Sequence, residues 1–457
     1  MRLPITKPSS VIMTTLLMCV AFHTKTSATT LEDTLSTSCA LSSLSSATPK
    51  DREHKQRLSV EAGYAPGTAL ALDNYVKRWL KTKHCHSVYA QINVQAPKFQ
   101  GDDYNQDYNN PTLSLGLRLN LNHGVTMHRQ ADASWDQLVP VDYDSQLGNI
   151  ITLYGKFSRP LWQNRHWQWS YYLGTGIGYS HTKYNTENCI DNEFIGSHWN
   201  IFFTAGTFLS YRITPSLSVK GGIDFSHHSN GALYRPNKGF NSFGPFIALE
   251  SYLSNDKCLS EDNKTSSASS ALISSSMFHR YWFMEFSVGG GAKTLLEDWQ
   301  HTQFHTNPTD PNYRTSKFSV YGAFSLQTDI MYRYARRWAS GLGVDVFYGD
   351  YANHVARMDA ANGYTQEPHS PWSVGIAMKH EVYYGNLSAR MGIGYYLYRH
   401  MGIEAQTLEK PYYERIGLFY TFHKWNDIAI GFNVNAHATK ADFTELEISI
   451  PVKLSNH

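Results

Sequence analysis

From Arg57 onward the chain alternates apolar and polar residues in strand-length runs separated by polar turns. A period of two is what a β-strand presents when its faces meet different surroundings. Trp199, Ile201, Phe203, Ala205, Thr207, Leu209 and Tyr211 share one face. Leu217, Val219, Gly221, Ile223 and Phe225 form the next apolar face, opposite Ser218, Lys220, Gly222 and Asp224. The theme recurs at Phe318, Val320, Phe324, Leu326 and Ile330, then at Trp372, Val374, Ile376 and Met378 against Lys379 and Glu381. It ends with Ile428, Ile430, Phe432 and Val434, then Leu446, Ile448, Ile450, Val452 and Leu454, with a one-residue shift near the start of the last run.

The pattern predicts about eight strands between Arg57 and Leu253 and about eight between Arg280 and Leu454. The Ser-rich stretch 254–279 between them reads as a linker, so the two halves are 57–253 and 280–457. Many runs reach ten or more residues, whereas strands of soluble sandwiches are usually about five or six. Long strands, apolar outside and polar inside, predict an all-β fold: a transmembrane antiparallel β-barrel. Closure follows, because an open edge in lipid leaves backbone groups unpaired. The sixteen strands can close as one barrel or as two tandem eight-stranded units. The linker favours two, and the rarity of tandem barrels tips the expectation slightly to one.

Composition sharpens this picture. Of 457 residues, 17% are charged and 14% aromatic, with 30 Tyr, 22 Phe and 11 Trp, which suits aromatic girdles at two membrane interfaces. A net charge of +2 gives no nucleic-acid footprint. Residues 1–28 read as a signal peptide: Arg2 and Lys7, the apolar run Val11–Phe22, and the small-residue site Thr26-Ser27-Ala28. That run is shorter than the roughly 20 residues a spanning helix needs. Residues 29–56 are a polar Ser/Thr-rich lead-in. The expected location is the outer membrane of a Gram-negative bacterium. Cys39, Cys85, Cys189 and Cys258 lack CxxC spacing, which argues against zinc; one or two disulfides stay open, their pairing unreadable.

One segment carries candidate chemistry: Phe225-Ser226-His227-His228-Ser229-Asn230-Gly231, then Arg235-Pro236-Asn237-Lys238-Gly239-Phe240-Asn241. Extending the register of Leu217–Phe225 puts His227 and Ser229 on the outward face. Asn241 shares an outward face with Phe243, Ile247 and Leu249. Polar groups there are costly in lipid and need a reason. A serine hydroxyl becomes a nucleophile when an imidazole takes its proton, and the imidazole needs an orienting partner. Asn230 and the Gly231 amide are the candidates to hold the oxyanion. Asn237 and Gly239 read as loop-forming, and His228 as an interior residue.

The segment resembles the lipid A 3-O-deacylase (PagL) family and its acyloxyacyl hydrolase relatives, whose hallmark is His-x-Ser-Asn followed by Pro-Asn-x-Gly near the end of an eight-stranded barrel. The resemblance covers the first half and finds no counterpart for residues 280–457. It implies an outer-membrane ester hydrolase removing an acyl chain from lipid A of lipopolysaccharide, without metal or cofactor. It implies the order His, Ser, Glu for the catalytic residues, which maps to His227, Ser229 and Asn241. The expected Glu is therefore Asn here: an amide can orient an imidazole but cannot stabilise imidazolium by charge. The competing readings are a catalytically silent barrel (channel, adhesin or scaffold) and a transport barrel carrying a lipid-modifying module. A second cluster, His437-Ala438-Thr439, falls in inward register and reads as an interior network.

Overall fold

The computed structural model describes residues 57–72, 74–95, 103–130, 140–253, 278–407, 409–438 and 440–456. The expected signal peptide and lead-in, nearly all of the linker, and Cys39, Cys258 and Thr439 lie outside the described residues. Among the described residues, no helix is long and apolar enough to cross a membrane.

The alternating runs become long antiparallel strands. The first eight are β1 (Arg57–Ala69), β2 (Leu80–Gln95), β3 (Thr112–Leu121), β6 (Ile150–Gln163), β7 (Trp167–Ser180), β8 (Trp199–Thr214), β9 (Leu217–Ser229) and β10 (Phe240–Tyr252). A small hairpin, β4 (Val125–Met127) and β5 (Ser145–Gln146), extends from the start of β2. Each long strand pairs with the next, and β1 pairs with both β2 and β10, which closes the sheet. The second eight form another closed barrel: β11 (Tyr281–Lys293), β12 (Tyr321–Ala335), β13 (Trp338–Gly349), β14 (His369–Tyr384), β15 (Leu387–Met401), β16 (Tyr412–Phe422), β17 (Ile428–His437) and β18 (Lys440–Asn456). The register shift expected near the start of the last strand falls between Asn435 and Ala436 of its partner.

The slight preference for one sixteen-stranded barrel is thus corrected to two barrels. The physical reason lies inside them. Eight strands enclose a space that side chains can just fill, and each half fills its own with paired charges. In the first, buried Lys220 reaches Glu61 at 2.7 Å and Glu250 at 2.9 Å, joining β9 to the first and last strands, while Arg118 meets Asp224 at 2.8 Å. In the second, Arg390 bridges Glu285 at 2.6 Å and Glu381 at 3.0 Å, and Arg415 engages Glu445 and Glu447. Buried charges persist only when paired in this way. Outward positions such as Ile223, Ile247, Leu249, Ile416 and Ile448 are apolar and exposed.

Most connections sort by length onto the two ends, as in membrane barrels, the exceptions being 96–111 at the turn end and 438–439 at the loop end. Tight turns at 164–166, 215–216, 336–337 and 385–386 lie at one end. The longer loops 181–198, 230–239, 294–320 and 350–368 lie at the other. Because β10 descends to the turn end and β11 leaves from it, the barrels stand with the same polarity. They touch at both ends. At the loop end, Arg314 of the second barrel binds Asp191 of the first at 2.9 Å, and the Arg235 guanidinium donates to the Thr294 carbonyl at 3.2 Å. At the turn end, the Tyr108 hydroxyl donates to the Tyr383 carbonyl and that of Tyr384 to Asn105.

Of the cysteines within the described residues, Cys85 sits in β2 and Cys189 in the loop 181–198; both are buried free thiols. Burial pushes the Cys189 thiol up to about 11.

Candidate active site

Strand β9 places the site by parity. Ser218, Lys220, Asp224, Ser226 and His228 turn inward and are buried. Val219, Ile223, Phe225, His227 and Ser229 take the outer face, as the period of two predicts. The β9–β10 register sets Asn241 directly opposite His227, the geometry in which side chains across a sheet meet. The imidazole then bridges two neighbours. Its Nδ1 lies 2.8 Å from Asn241 Oδ1, and its Nε2 lies 2.9 Å from Ser229 Oγ. An amide oxygen can only accept, so Nδ1 carries the proton and Nε2 presents its lone pair to the serine. All three residues named from the sequence are brought together.

The turn 230–239 between these strands is held on several sides. The Asn230 N–H donates to Asn237 Oδ1 at 3.2 Å, and the Asn230 carboxamide exchanges hydrogen bonds with the backbone of Tyr234. The Asn230 carboxamide thus braces the turn through the Tyr234 backbone. Both oxyanion candidates, Asn230 and the Gly231 amide, lie in this turn. Asn237 forms the loop as expected, and it also lines the cleft beside Ser229. Gly239 does more than turn the chain. Its φ is +74°, and a Cβ there would stand 2.6 Å from His227 Cε1 and 3.4 Å from Ser229 Cβ. Glycine is what allows the backbone to pass so close to the imidazole. The sequence signal for this was only a glycine two residues before Asn241.

The remaining histidines follow expectation. His228 is fully buried in the first barrel, its Nε2 3.0 Å from Thr152 Oγ1 and its ring against Phe202. His437 points into the second barrel, with Nε2 2.8 Å from the Tyr396 hydroxyl.

Two features were not anticipated. The first is a buried ionic clasp at the loop end. Arg129, Asp191 and Glu193 of the first barrel meet Arg314 and Gln303 of the second, all almost fully buried. Burial, with Arg314 alongside, lowers the Arg129 guanidinium to about 10, so it stays charged at neutral pH. The clasp bears on the site because the Lys238 N–H donates to the Glu193 carbonyl and the Gly239 N–H to the Phe194 carbonyl. The second feature is a cleft of about 3190 Å³ between the barrels, into which His227, Ser229 and Asn241 open. The second barrel reaches the turn 230–239 from across it: the Thr444 hydroxyl donates to the Gly231 carbonyl at 3.2 Å, and the Thr294 N–H to that of Ala232 at 2.8 Å.

Chemically, a hydroxyl, an imidazole and an amide oxygen in hydrogen-bonded series are able to serve as nucleophile, base and orienting acceptor, here set where an apolar surface meets a polar loop end.

Comparison with known proteins gives matches over both halves. Residues 112–250 match the family model for lipid A 3-O-deacylase (PagL). A comparison with curated protein sequences gives no match. Among solved structures, the outer membrane enzyme PagL is similar at 14% identity and a TM-score of 0.25, over 41% of this chain and 97% of that one. The copper transporter OprC is similar at 10% identity and a TM-score of 0.23, over 83% of this chain and 68% of that one. The Pseudomonas putida toluene transporter TodX is similar at 10% identity and a TM-score of 0.17, over 87% of this chain and 88% of that one. The second half, which had no counterpart in the sequence reading, also matches: residues 282–453 fit the model described as acyloxyacyl hydrolase, C-terminal domain. The first barrel is thus similar to the lipid A 3-O-deacylase (PagL) family and the second to the C-terminal domain of acyloxyacyl hydrolases.

Proposed function

We propose that this protein is an outer-membrane hydrolase that removes a fatty acyl chain from lipid A by a serine–histidine mechanism. The observation that carries the reading is His227 on the outward face of β9, bridging Ser229 Oγ and Asn241 Oδ1 at 2.9 and 2.8 Å. The two family matches support the substrate class. A triad open to the hydrocarbon suits an ester that never leaves the membrane.

In the proposed reaction, His227 Nε2 takes the Ser229 proton as Oγ attacks the ester carbonyl. Asn241 holds the ring in the tautomer that makes this transfer available. The Gly231 amide donates to the oxygen on which negative charge develops. Collapse of the tetrahedral intermediate passes the proton from His227 to the departing sugar alkoxide and leaves the acyl chain on Ser229. Water, deprotonated by the same histidine, then releases the fatty acid. Asn241 supplies orientation without charge, so the imidazolium is less stabilised than beside a carboxylate.

The test is the mass of lipid A from cells expressing the protein, Ser229→Ala or His227→Ala. Loss of one acyl chain with the unsubstituted protein, and none with either variant at equal barrel content, is the expected result. Deacylation by Ser229→Ala equal to the unsubstituted protein overturns the assignment.

A further inference from the structure

We infer that the cleft between the barrels is the acyl-chain chamber of this enzyme, with the second barrel as its far wall. The inference rests on the ester hydrolysis proposed above and assigns residues 280–457 a part in it. Phe203 and Phe225 of the first barrel line the cleft beneath Ser229, and Ile416, Leu418, Phe432 and Val434 of the second line it opposite. These six positions are outward on their strands, so the space they bound lies within the hydrocarbon, while at the loop end the lining runs on to inward residues of the second barrel such as Lys293, His437 and Asp442. Apolar space of that kind neither retains water nor packs well when empty. It is filled by hydrocarbon.

The two ends of the cleft fix how a lipid enters. At the turn end, Tyr384 packs on Tyr108 and Phe157 with ring centroids 5.7 and 5.2 Å apart, which closes the space with aromatic rings. At the loop end the lining turns charged with both signs, Arg235, Lys238 and Lys440 standing with Glu193, Glu297 and Glu404. Ser229 sits at the boundary. A lipid whose polar head lies at the loop end and whose tail points toward Tyr384 presents the ester linking them at the height of Ser229. The contacts of Thr444 and Thr294 with the catalytic turn belong to the same arrangement, since the wall that holds the chain also braces the turn. No catalytic residue is needed from the second barrel.

The experiment compares turnover of palmitoyl and butyryl p-nitrophenyl esters by purified full-length protein in detergent. Val434→Trp and Leu418→Trp fill the far wall. Leu342→Trp, an exposed position on β13, which contributes nothing to the cleft lining, is the control. The ratio of palmitoyl to butyryl turnover is expected to fall at least tenfold in the wall variants and to stay within twofold in Leu342→Trp. A ratio unchanged within twofold in both wall variants overturns the chamber while leaving the triad intact. If the unsubstituted protein hydrolyses neither ester nor lipid A, the proposed function itself falls, and the chamber is read by photolabelling. A phospholipid with a diazirine in its acyl chain is retained through detergent purification and then photoactivated. Labelling of β16–β17 peptides at least fivefold above β13 peptides supports the chamber, and even labelling overturns it.

Discussion

Replacing Gly239 by alanine tests how tightly the site depends on backbone proximity. The residue lies at φ +74°, so any side chain incurs left-handed strain of about 1–2 kcal/mol. That alone leaves a closed barrel folded. The added methyl, however, would stand 2.6 Å from His227 Cε1, where carbon atoms normally rest about 3.5–4.0 Å apart. Relieving the clash requires the imidazole or the turn to shift by roughly 1 Å, and a misplacement of that size can cost about 10²-fold in rate. Both hydrogen bonds of His227 would lengthen beyond useful range from 2.8 and 2.9 Å. The expected result is therefore a fall in lipid A deacylation of about 10²-fold with normal yield of folded barrel. The matching control is Gly363→Ala: its φ is +88°, but nothing lies within 4 Å of the new Cβ. It carries the strain without the clash. The assay is the fraction of deacylated lipid A by mass spectrometry, with heat-modifiable gel mobility reporting folding. Gly239→Ala activity within threefold of Gly363→Ala would refute the reasoning.

Further outcomes follow from neighbouring groups. Asn241→Ala should reduce turnover without abolishing it, and Asn241→Glu should preserve or raise it, because a carboxylate beside the imidazole favours its protonated form; full activity of Asn241→Ala in a detergent assay would reduce Asn241 to a turn residue. His437→Ala should leave deacylation within a few-fold of normal, since His437 faces the second barrel's interior; a loss as deep as that of His227→Ala would contradict this. Arg314→Met leaves buried Asp191 with Arg129 as its cation, so the loss is expected below the about 3–5 kcal/mol of a fully unpaired buried charge; the checks are a lowered melting temperature and weaker activity through the loop that holds Lys238 and Gly239. Cys189, with its thiol raised to about 11, should resist alkylation at pH 8, where thiolate is scarce, and react once the protein is unfolded; peptide mass mapping reads this directly.

How much of this was legible in the sequence depends on which interaction decides each feature. The meeting of His227, Ser229 and Asn241 was legible because it is local: parity along β9 and the short turn to β10 fix where they face. Barrel number was not legible from outward positions, since an apolar face reads alike whether β1 meets β10 or a strand from the other half. The deciding information was on the inward positions. Glu61, Arg118, Lys156, Lys220, Asp224 and Glu250 hold three charges of each sign within one half, a set that needs no partner from the other. Loop chemistry was the least legible. Asn230 braces its turn through the Tyr234 backbone, and Arg314 finds Asp191 across more than a hundred residues. No periodicity encodes such meetings.

That each barrel closes on itself has a consequence for how divisible the molecule is. Among the described residues, hydrogen-bonded strand pairing does not cross from one half to the other; the halves meet through loop-end ion pairs, turn-end aromatics and a few backbone bonds. Each half satisfies its own ladder, which in lipid is the part that admits no vacancy. The peptide joining them therefore serves proximity more than architecture. It keeps the second barrel near the first at an effective concentration that two free chains would need tight mutual affinity to match.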